Sequence, residues 1–288
     1  MPQSDIVIVG ATGTTGSALR AELRNRNVAA RALVRSEAKG AQIRDSLLEP
    51  ITGDIGDPAS LDGAFQGARA LFVALSPSAD ALALNRNLFA AAKRQGVSHI
   101  VRISGLHPDP QSPSLLVRQH TALDEELRQS GIDFTILRAN TFYDNLLRHA
   151  AHIREYRVFH SPMGDAPQSM IDARDIGAVA AAALLEKGHA NKAYDLTGPE
   201  TLTNTIIAGI FTQVLGETVT FQPVPFAAAR AGMIANGLPE ADADAAIELF
   251  TLVSKGGEGE VYPDVERVLQ RKAIRFEQFV RDNLAAFK

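Results

Sequence analysis

The chain has 288 residues, enough for one large α/β domain or a core domain with an appended lobe, and its make-up (45% hydrophobic, 22% charged, net charge −4) is that of an ordinary globular protein. The absence of cysteine excludes disulfides, thiolate metal sites, dithiol redox chemistry and a cysteine nucleophile. There is no sustained basic stripe, no apolar run of the roughly 18 residues a membrane span needs, and neither a basic n-region nor a long apolar h-region at the N-terminus, so a cytoplasmic protein with no direct nucleic-acid or membrane partner is expected.

Residues 5–9 are a short apolar run rich in β-branched side chains and read as a buried strand. They lead into Gly10-Ala11-Thr12-Gly13-Thr14-Thr15-Gly16, after which residues 17–23 have helical spacing. Strand, glycine turn and helix in that order make a dinucleotide-binding fingerprint. In such a turn Gly10 permits the sharp bend, Gly13 lets the backbone approach a pyrophosphate, and Gly16 lets the helix lie against the sheet. Thr12, Thr14 and Thr15 complete the cradle, where first-turn N–H groups and the helix dipole face the anion.

Strands are expected at residues 29–34, 49–52, 71–75, 100–104 and 134–138. Helices are expected between them at 36–48, from the Asp57 cap and Pro58 onward, at 80–95 stopping at Gly96, and at 115–129 ending near Gly131. The alternation predicts an α/β fold, a Rossmann-like doubly wound parallel sheet with helices on both faces. After Arg138 the rhythm changes. Short strand pieces are expected at 156–159 and 168–171, a helix over about 174–185 and a late strand at 193–196. Helices at 204–215, 227–236 and 240–254 follow, with a flexible break at 255–260. Asp175 reads as a helix N-cap or a neighbour of Arg174. The expected division is an NAD(P)-binding core over 1–140 and a smaller, mostly helical C-terminal substrate lobe over 141–288, which returns to the core sheet around 168–200.

The end of the second strand selects the cofactor: an acidic residue there holds a ribose 2′-hydroxyl, a cation meets a 2′-phosphate. Arg35 occupies that place, with Ser36 beside it and Lys39 one turn on, and no Asp or Glu at the strand end. Arg35 can pair bidentately with a phosphate and stack on adenine; the competing reading is a solvated arginine at a strand terminus. The register favours the phosphate, so NADPH is the expected cofactor, without flavin or metal. Further contacts follow from the strand ends. Asp54 is either an acceptor for the adenine amino group or a turn residue; Ala74, Leu75 and Ser76 pass beside the ribose; Ser104 and Gly105 lie near the nicotinamide.

The glycine turn, Leu33-Val34-Arg35, Gly53-Asp54 with Pro58-Ala59-Ser60-Leu61, and Leu71-Phe72-Val73 resemble atypical short-chain dehydrogenases of the NmrA-like group. So do residues 131–138, Asp172-Ala173-Arg174-Asp175-Ile176-Gly177 and Tyr194-Asp195-Leu196-Thr197-Gly198-Pro199-Glu200. Within the group the likeness is to type-2 NADPH:quinone oxidoreductases and triphenylmethane reductases, and it runs from about Ile6 to Pro225. The resemblance implies a Rossmann domain with a small C-terminal substrate lobe. It also implies two kinds of activity, since some members reduce quinones and others only bind NADP as regulators.

Ordinary short-chain dehydrogenases carry Tyr-x-x-x-Lys on the helix after the fifth strand, the tyrosine as proton donor. Here those places hold Leu116 and His120, and none of the four tyrosines lies on that helix. Carbonyl reduction through a tyrosyl acid is therefore disfavoured. Hydride transfer to a quinone needs less, because the hydroquinone anion can take its proton from water. His120, in the lysine's place, is the candidate to hold the nicotinamide ribose and steady the developing anion. Family likeness puts Asn140 and Phe142 near the nicotinamide and Tyr143 and Asn145 toward the substrate, with Asn140 and Tyr143 joining His120 as candidate catalytic residues. Phe142 and Tyr143 either stack on a planar quinone or pack between lobes. Gly105 opens a proline-bearing loop over 105–113 that forms either a lip over the substrate or a plain surface loop. The leading expectation is an NADPH-dependent reductase of quinones or similar planar acceptors. The alternative is a non-catalytic NADP(H) sensor that binds a protein partner, and an isoflavone-reductase-like enzyme is weaker because His120 replaces its lysine. A homodimer is compatible with either.

Overall fold

The computed structural model describes residues 4–75, 78 and 80–288. Its elements in chain order begin β1 (Ile6–Val9), α1 (Thr14–Asn25), β2 (Ala30–Val34), α2 (Glu37–Ala41), β3 (Leu48–Thr52), α3 (Pro58–Phe65), β4 (Ala70–Val73), α4 (Ala81–Arg94), β5 (His99–Gly105), α5 (Leu115–Gln129) and β6 (Asp133–Ala139). A 3-10 helix over Tyr143–His149 precedes α6 (Ala150–Tyr156), β7 (Val158–Ser161), α7 (Ala173–Leu185), β8 (Lys192–Leu196), α8 (Asn204–Leu215), β9 (Thr220–Pro223), α9 (Phe226–Ala235), α10 (Glu240–Val253), α11 (Asp264–Leu269), α12 (Phe276–Asp282) and α13 (Leu284–Phe287). The chain forms two compact units: Met1–Gly105, Gln119–Arg138 and Ile176–Asp195 make the first, and Leu106–Arg118, Ala139–Asp175 and Leu196–Lys288 the second.

The first unit is built on a seven-stranded sheet in the order β3-β2-β1-β4-β5-β6-β8. β1 lies parallel to both β2 and β4, and β4 parallel to β5. Side chains alternate between faces along a strand, and Val7 and Val9 enter one apolar cluster with Phe65, Leu71, Val73 and Ile100. Ile6 and Ile8, which face the other way, are also buried, so β1 is covered on both faces. The order reverses between β1 and β4, and a crevice at the carboxyl ends of the strands is expected at that point. Gly177 in α7 allows close helix contact, since a Cβ there would lie 2.6 Å from the Ala18 carbonyl carbon of α1.

The second unit pairs β7 with β9 in parallel and buries an aromatic cluster of Tyr143, Phe159, Phe211, Phe276, Phe279 and Phe287. Several expectations change here. Residues 168–171 form only isolated bridges, Gln168 to Leu202 and Ile171 to Phe142, instead of a strand. The strand expected at 156–159 starts at Val158, because Arg157 takes a left-handed conformation (φ 56°) that ends α6. The expected break at 255–260 is tied down: the carbonyls of Glu258 and Glu260 accept from Ser169 Oγ, and that of Gly259 from Thr201 Oγ1. Asp175 is neither cap nor partner of Arg174; it accepts the Ile274 N–H at 2.7 Å and pairs with Arg271 at 2.7 Å, while Asp172 holds Arg174. In the first unit the helix expected over 36–48 shrinks to the five residues of α2, since Gly40 packs on Pro50 and the chain then turns through Asp45, which accepts the Leu47 N–H.

Candidate cofactor and active site

The glycine turn connects β1 to α1 at the switch point. Gly10 has φ +88°, and a Cβ there would fall 2.0 Å from the Ala74 carbonyl oxygen, so the carboxyl ends of β1 and β4 abut. The Ala74 N–H donates to Val9 O at 3.0 Å. A Cβ on Gly16 would lie 2.1 Å from Gly10 O; this glycine seats α1 on the turn itself. Gly13 is different in kind: its nearest neighbour is Gly10 O at 3.4 Å, leaving space outside it. Gly13 donates its N–H to Gly10 O and caps α1 without a side-chain hydrogen bond. The first-turn N–H groups of Thr14, Thr15 and Gly16 are left without intrahelical acceptors, which fits a pyrophosphate. Thr12 and Thr14 are exposed at the turn and Thr15 is buried. Arg20 braces the turn by donating to Ala11 O at 3.1 Å.

Arg35 follows β2 and is exposed, and neither it nor Lys39 has a side-chain partner among the described residues. Ser36 caps α2, accepting the Lys39 N–H. Asp54 shows its turn role: its Oδ1 accepts the Gly56 N–H at 2.8 Å. Leu75 lines a cavity described below, and Ser76 lies outside the described residues.

β5 and α5 carry a polar cluster that the sequence reading found only in part. Arg102, buried in β5, forms an ion pair with Asp124 of α5. Ser104 Oγ donates to the other Asp124 oxygen at 2.9 Å, and Arg138 Nε lies 3.7 Å from it. The Ser104 hydroxyl proton is thus committed to Asp124, which leaves its oxygen only an acceptor for any further contact. Burial pushes the Asp124 carboxyl up from its ordinary range, against the pull of Arg102. Arg102 also donates to His120 Nδ1 at 3.1 Å. His120 is pushed down to about 3, first by burial and then by the Arg102 charge. Its ring lines a cavity with Leu75, Asn85, Gln119 and Leu123. Gly105 makes room for it, as a Cβ there would meet His120 Cδ2 at 3.4 Å.

In the second unit Asn140 is a clamp. Its Oδ1 accepts the Thr141 N–H, and its Nδ2 donates to Ser169 Oγ and to Glu258 O, each at 2.9 Å. Both N–H protons of this amide are engaged within the protein, so Asn140 has no side-chain donor to spare and only its Oδ1 could accept a further hydrogen bond. The reading of Tyr143 is corrected. It is fully buried, with its ring 5.2 Å from that of Phe276 and 5.6 Å from that of Phe279. Its hydroxyl has no hydrogen-bond partner among the described residues, and burial pushes its ionisation up, so it is neither acid nor substrate platform. Phe142 and Asn145 are half-buried, and the Asn145 side chain has no partner among the described residues. The loop after β5 contributes His107, in a left-handed conformation (φ 52°), 3.8 Å from Glu258. Sequence reasoning passed over His107, Arg102 and Asp124; an arginine in the otherwise apolar run 100–103 was the signal for the second of these.

Residues 10–187 match a family described as NAD(P)H-binding. A NAD(P)H azoreductase from Xenophilus azovorans is 34% identical over 98% of this chain and 99% of its own length. Among solved structures, an NADPH-dependent quinone oxidoreductase from Escherichia coli, complexed with NADPH, superposes with a TM-score of 0.86 at 30% identity, covering 97% of this chain and 99% of that one. The triphenylmethane reductase of Citrobacter sp. complexed with NADP(H) has a TM-score of 0.84 at 26% identity, covering 96% and 99%.

Proposed function

The chain belongs to the NAD(P)H-binding, NmrA-like family of atypical short-chain dehydrogenase/reductases, and from that premise we propose that it is an NADPH-dependent reductase of quinones or other planar, electron-poor acceptors. The observation that carries this reading is the state of α5: the two places that would supply a tyrosyl acid and its lysine hold Leu116 and a neutral His120, and Tyr143 is sealed in an aromatic core. An acceptor that needs no strong acid at its oxygen suits such a site, since a quinone or azo group accepts hydride into a conjugated system.

Bound NADPH supplies the hydride. The first turn of α1 holds the pyrophosphate, with Gly13 leaving space for its approach. Arg35, exposed and without a side-chain partner among the described residues, meets the 2′-phosphate, assisted by Lys39, and this sets NADPH above NADH. His120 donates to the nicotinamide ribose from its cavity. The names of the azo- and quinone-reducing relatives support this choice of acceptor. The test is NADPH oxidation, followed spectrophotometrically, across small quinones and azo dyes. Turnover with NADPH exceeding that with NADH is expected. Tight NADPH binding with no turnover on any acceptor would replace this reading with a cofactor-sensing one.

A further inference from the structure

The contact between Arg102 and His120 fixes more than a position. A guanidinium has five donors and no acceptor, so the 3.1 Å contact from Arg102 Nη2 requires His120 Nδ1 to present its lone pair. A neutral imidazole then carries its proton on Nε2. Arg102 is in turn held by Asp124, whose second oxygen is occupied by Ser104 and approached by Arg138. The remaining polar side chains around the cavity, Asn85 and Gln119, are uncharged and turned to backbone carbonyls, of Ala81 and Ser78. No carboxylate among the described residues touches the ring. We propose that Arg102, anchored by Asp124, is a positioning residue that locks His120 in the tautomer protonated at Nε2, so that His120 acts as a fixed hydrogen-bond donor toward a hydroxyl-bearing ligand and does not serve as the proton source for the reduced acceptor. The ligand named, the nicotinamide ribose, rests on the NADPH reading above; the lock itself is a property of the free protein.

The consequence for the chemistry is direct. A histidine that already receives a cation's hydrogen bond at Nδ1 cannot take a second proton without placing two positive groups in contact. The proton that completes hydroquinone formation therefore comes from solvent.

The lock is read by two-bond proton–nitrogen correlation spectra of the full chain labelled with 15N-histidine, the His120 signals being identified by their loss in His120→Gln. The expected pattern is an unprotonated, hydrogen-bonded Nδ1 and a protonated Nε2, unchanged from about pH 8 to pH 5. A proton on Nδ1, or both nitrogens protonated near neutral pH, would overturn the proposal. Arg102→Lys keeps a cation beside Asp124 but cannot span Asp124 and His120 together. In that variant His120 is expected to show mixed tautomers and to titrate, and NADPH affinity to fall roughly fivefold, as for one weakened hydrogen bond. The paired variant Arg102→Met with Asp124→Leu, which removes both buried charges, is expected to free His120 in the same way. An unaltered His120 signal in either folded variant would overturn the role of Arg102. If calorimetry detected no NADPH binding while the spectra showed the lock, the cofactor reading would fall and the lock would stand.

Discussion

At the scale of single residues, the account turns on Arg35 and His120. Arg35 is exposed and unpaired among the described residues, so replacing it disturbs nothing in the fold. Arg35→Asp is expected to weaken NADPH binding by about 2 kcal/mol, roughly 30-fold, and NADH binding by far less, as measured by calorimetry with each nucleotide. Equal losses for both would remove the 2′-phosphate contact. His120 makes a second prediction, through pH. Its folded value of about 3 lies below its ordinary 6.5, so the unfolded chain takes up a proton that the folded protein refuses. Stability from this group is complete above about pH 6.5 and is lost as the pH falls from there toward about 3. Between pH 7 and pH 5 the loss is about 2 kcal/mol by linkage, read as the difference between wild type and His120→Gln in urea unfolding. The raised carboxyl of Asp124 acts with opposite sign but is shared by both proteins. A difference that does not change with pH would contradict the half-buried, neutral imidazole.

At the scale of elements, β1, the glycine turn and α1 show how much of the site the sequence carried. Each glycine has a stated reason to be glycine: a Cβ would meet backbone oxygen at 2.0 Å on Gly10, which also has φ +88°, and at 2.1 Å on Gly16, while Gly13 leaves space outside the turn. Gly16→Ala is therefore expected to cost about 2–4 kcal/mol of stability, visible as a lowered melting temperature. Gly13→Ala should melt close to wild type yet bind NADPH far more weakly, because the added methyl enters the space left for phosphate and not the fold. The reverse outcome for the pair would mean that the turn does not face a pyrophosphate. The strands were legible because runs such as residues 70–73 are apolar throughout, and α5 and α8 because helical periodicity and following glycines agree. α2 was not, since residues 42–48 continue a helix-compatible composition while Gly40 is drawn onto Pro50 by a tertiary contact. Tyr143 was misread for a related cause. The sequence after β6 does not show that the chain enters a 3-10 helix, which turns Tyr143 into the aromatic cluster while leaving Phe142 and Asn145 half-exposed.

At the scale of the whole molecule, the first unit was legible nearly from end to end, because each strand and helix repeats a local pattern that its neighbours in sequence complete. The second unit was legible only in its longest helices. Its order comes from contacts between distant residues: Asp175 with Arg271 and Ile274, Asn140 with Glu258, and Tyr143 with Phe276 and Phe279. None of these leaves a spacing that can be read along the chain. For the same reason the partner of Arg102, Asp124 22 residues on, could not be read along the chain, while His120 between them was noticed. The central claim is that this fold delivers a hydride from NADPH to a planar acceptor without a tyrosyl acid. Its most direct measurement is an anaerobic single turnover of the protein with a naphthoquinone and NADPH deuterated at the transferring position of C4. The account predicts hydroquinone formed in step with NADPH consumed, at a rate slowed by the deuterium; saturated enzyme that leaves both NADPH and quinone unchanged would contradict it.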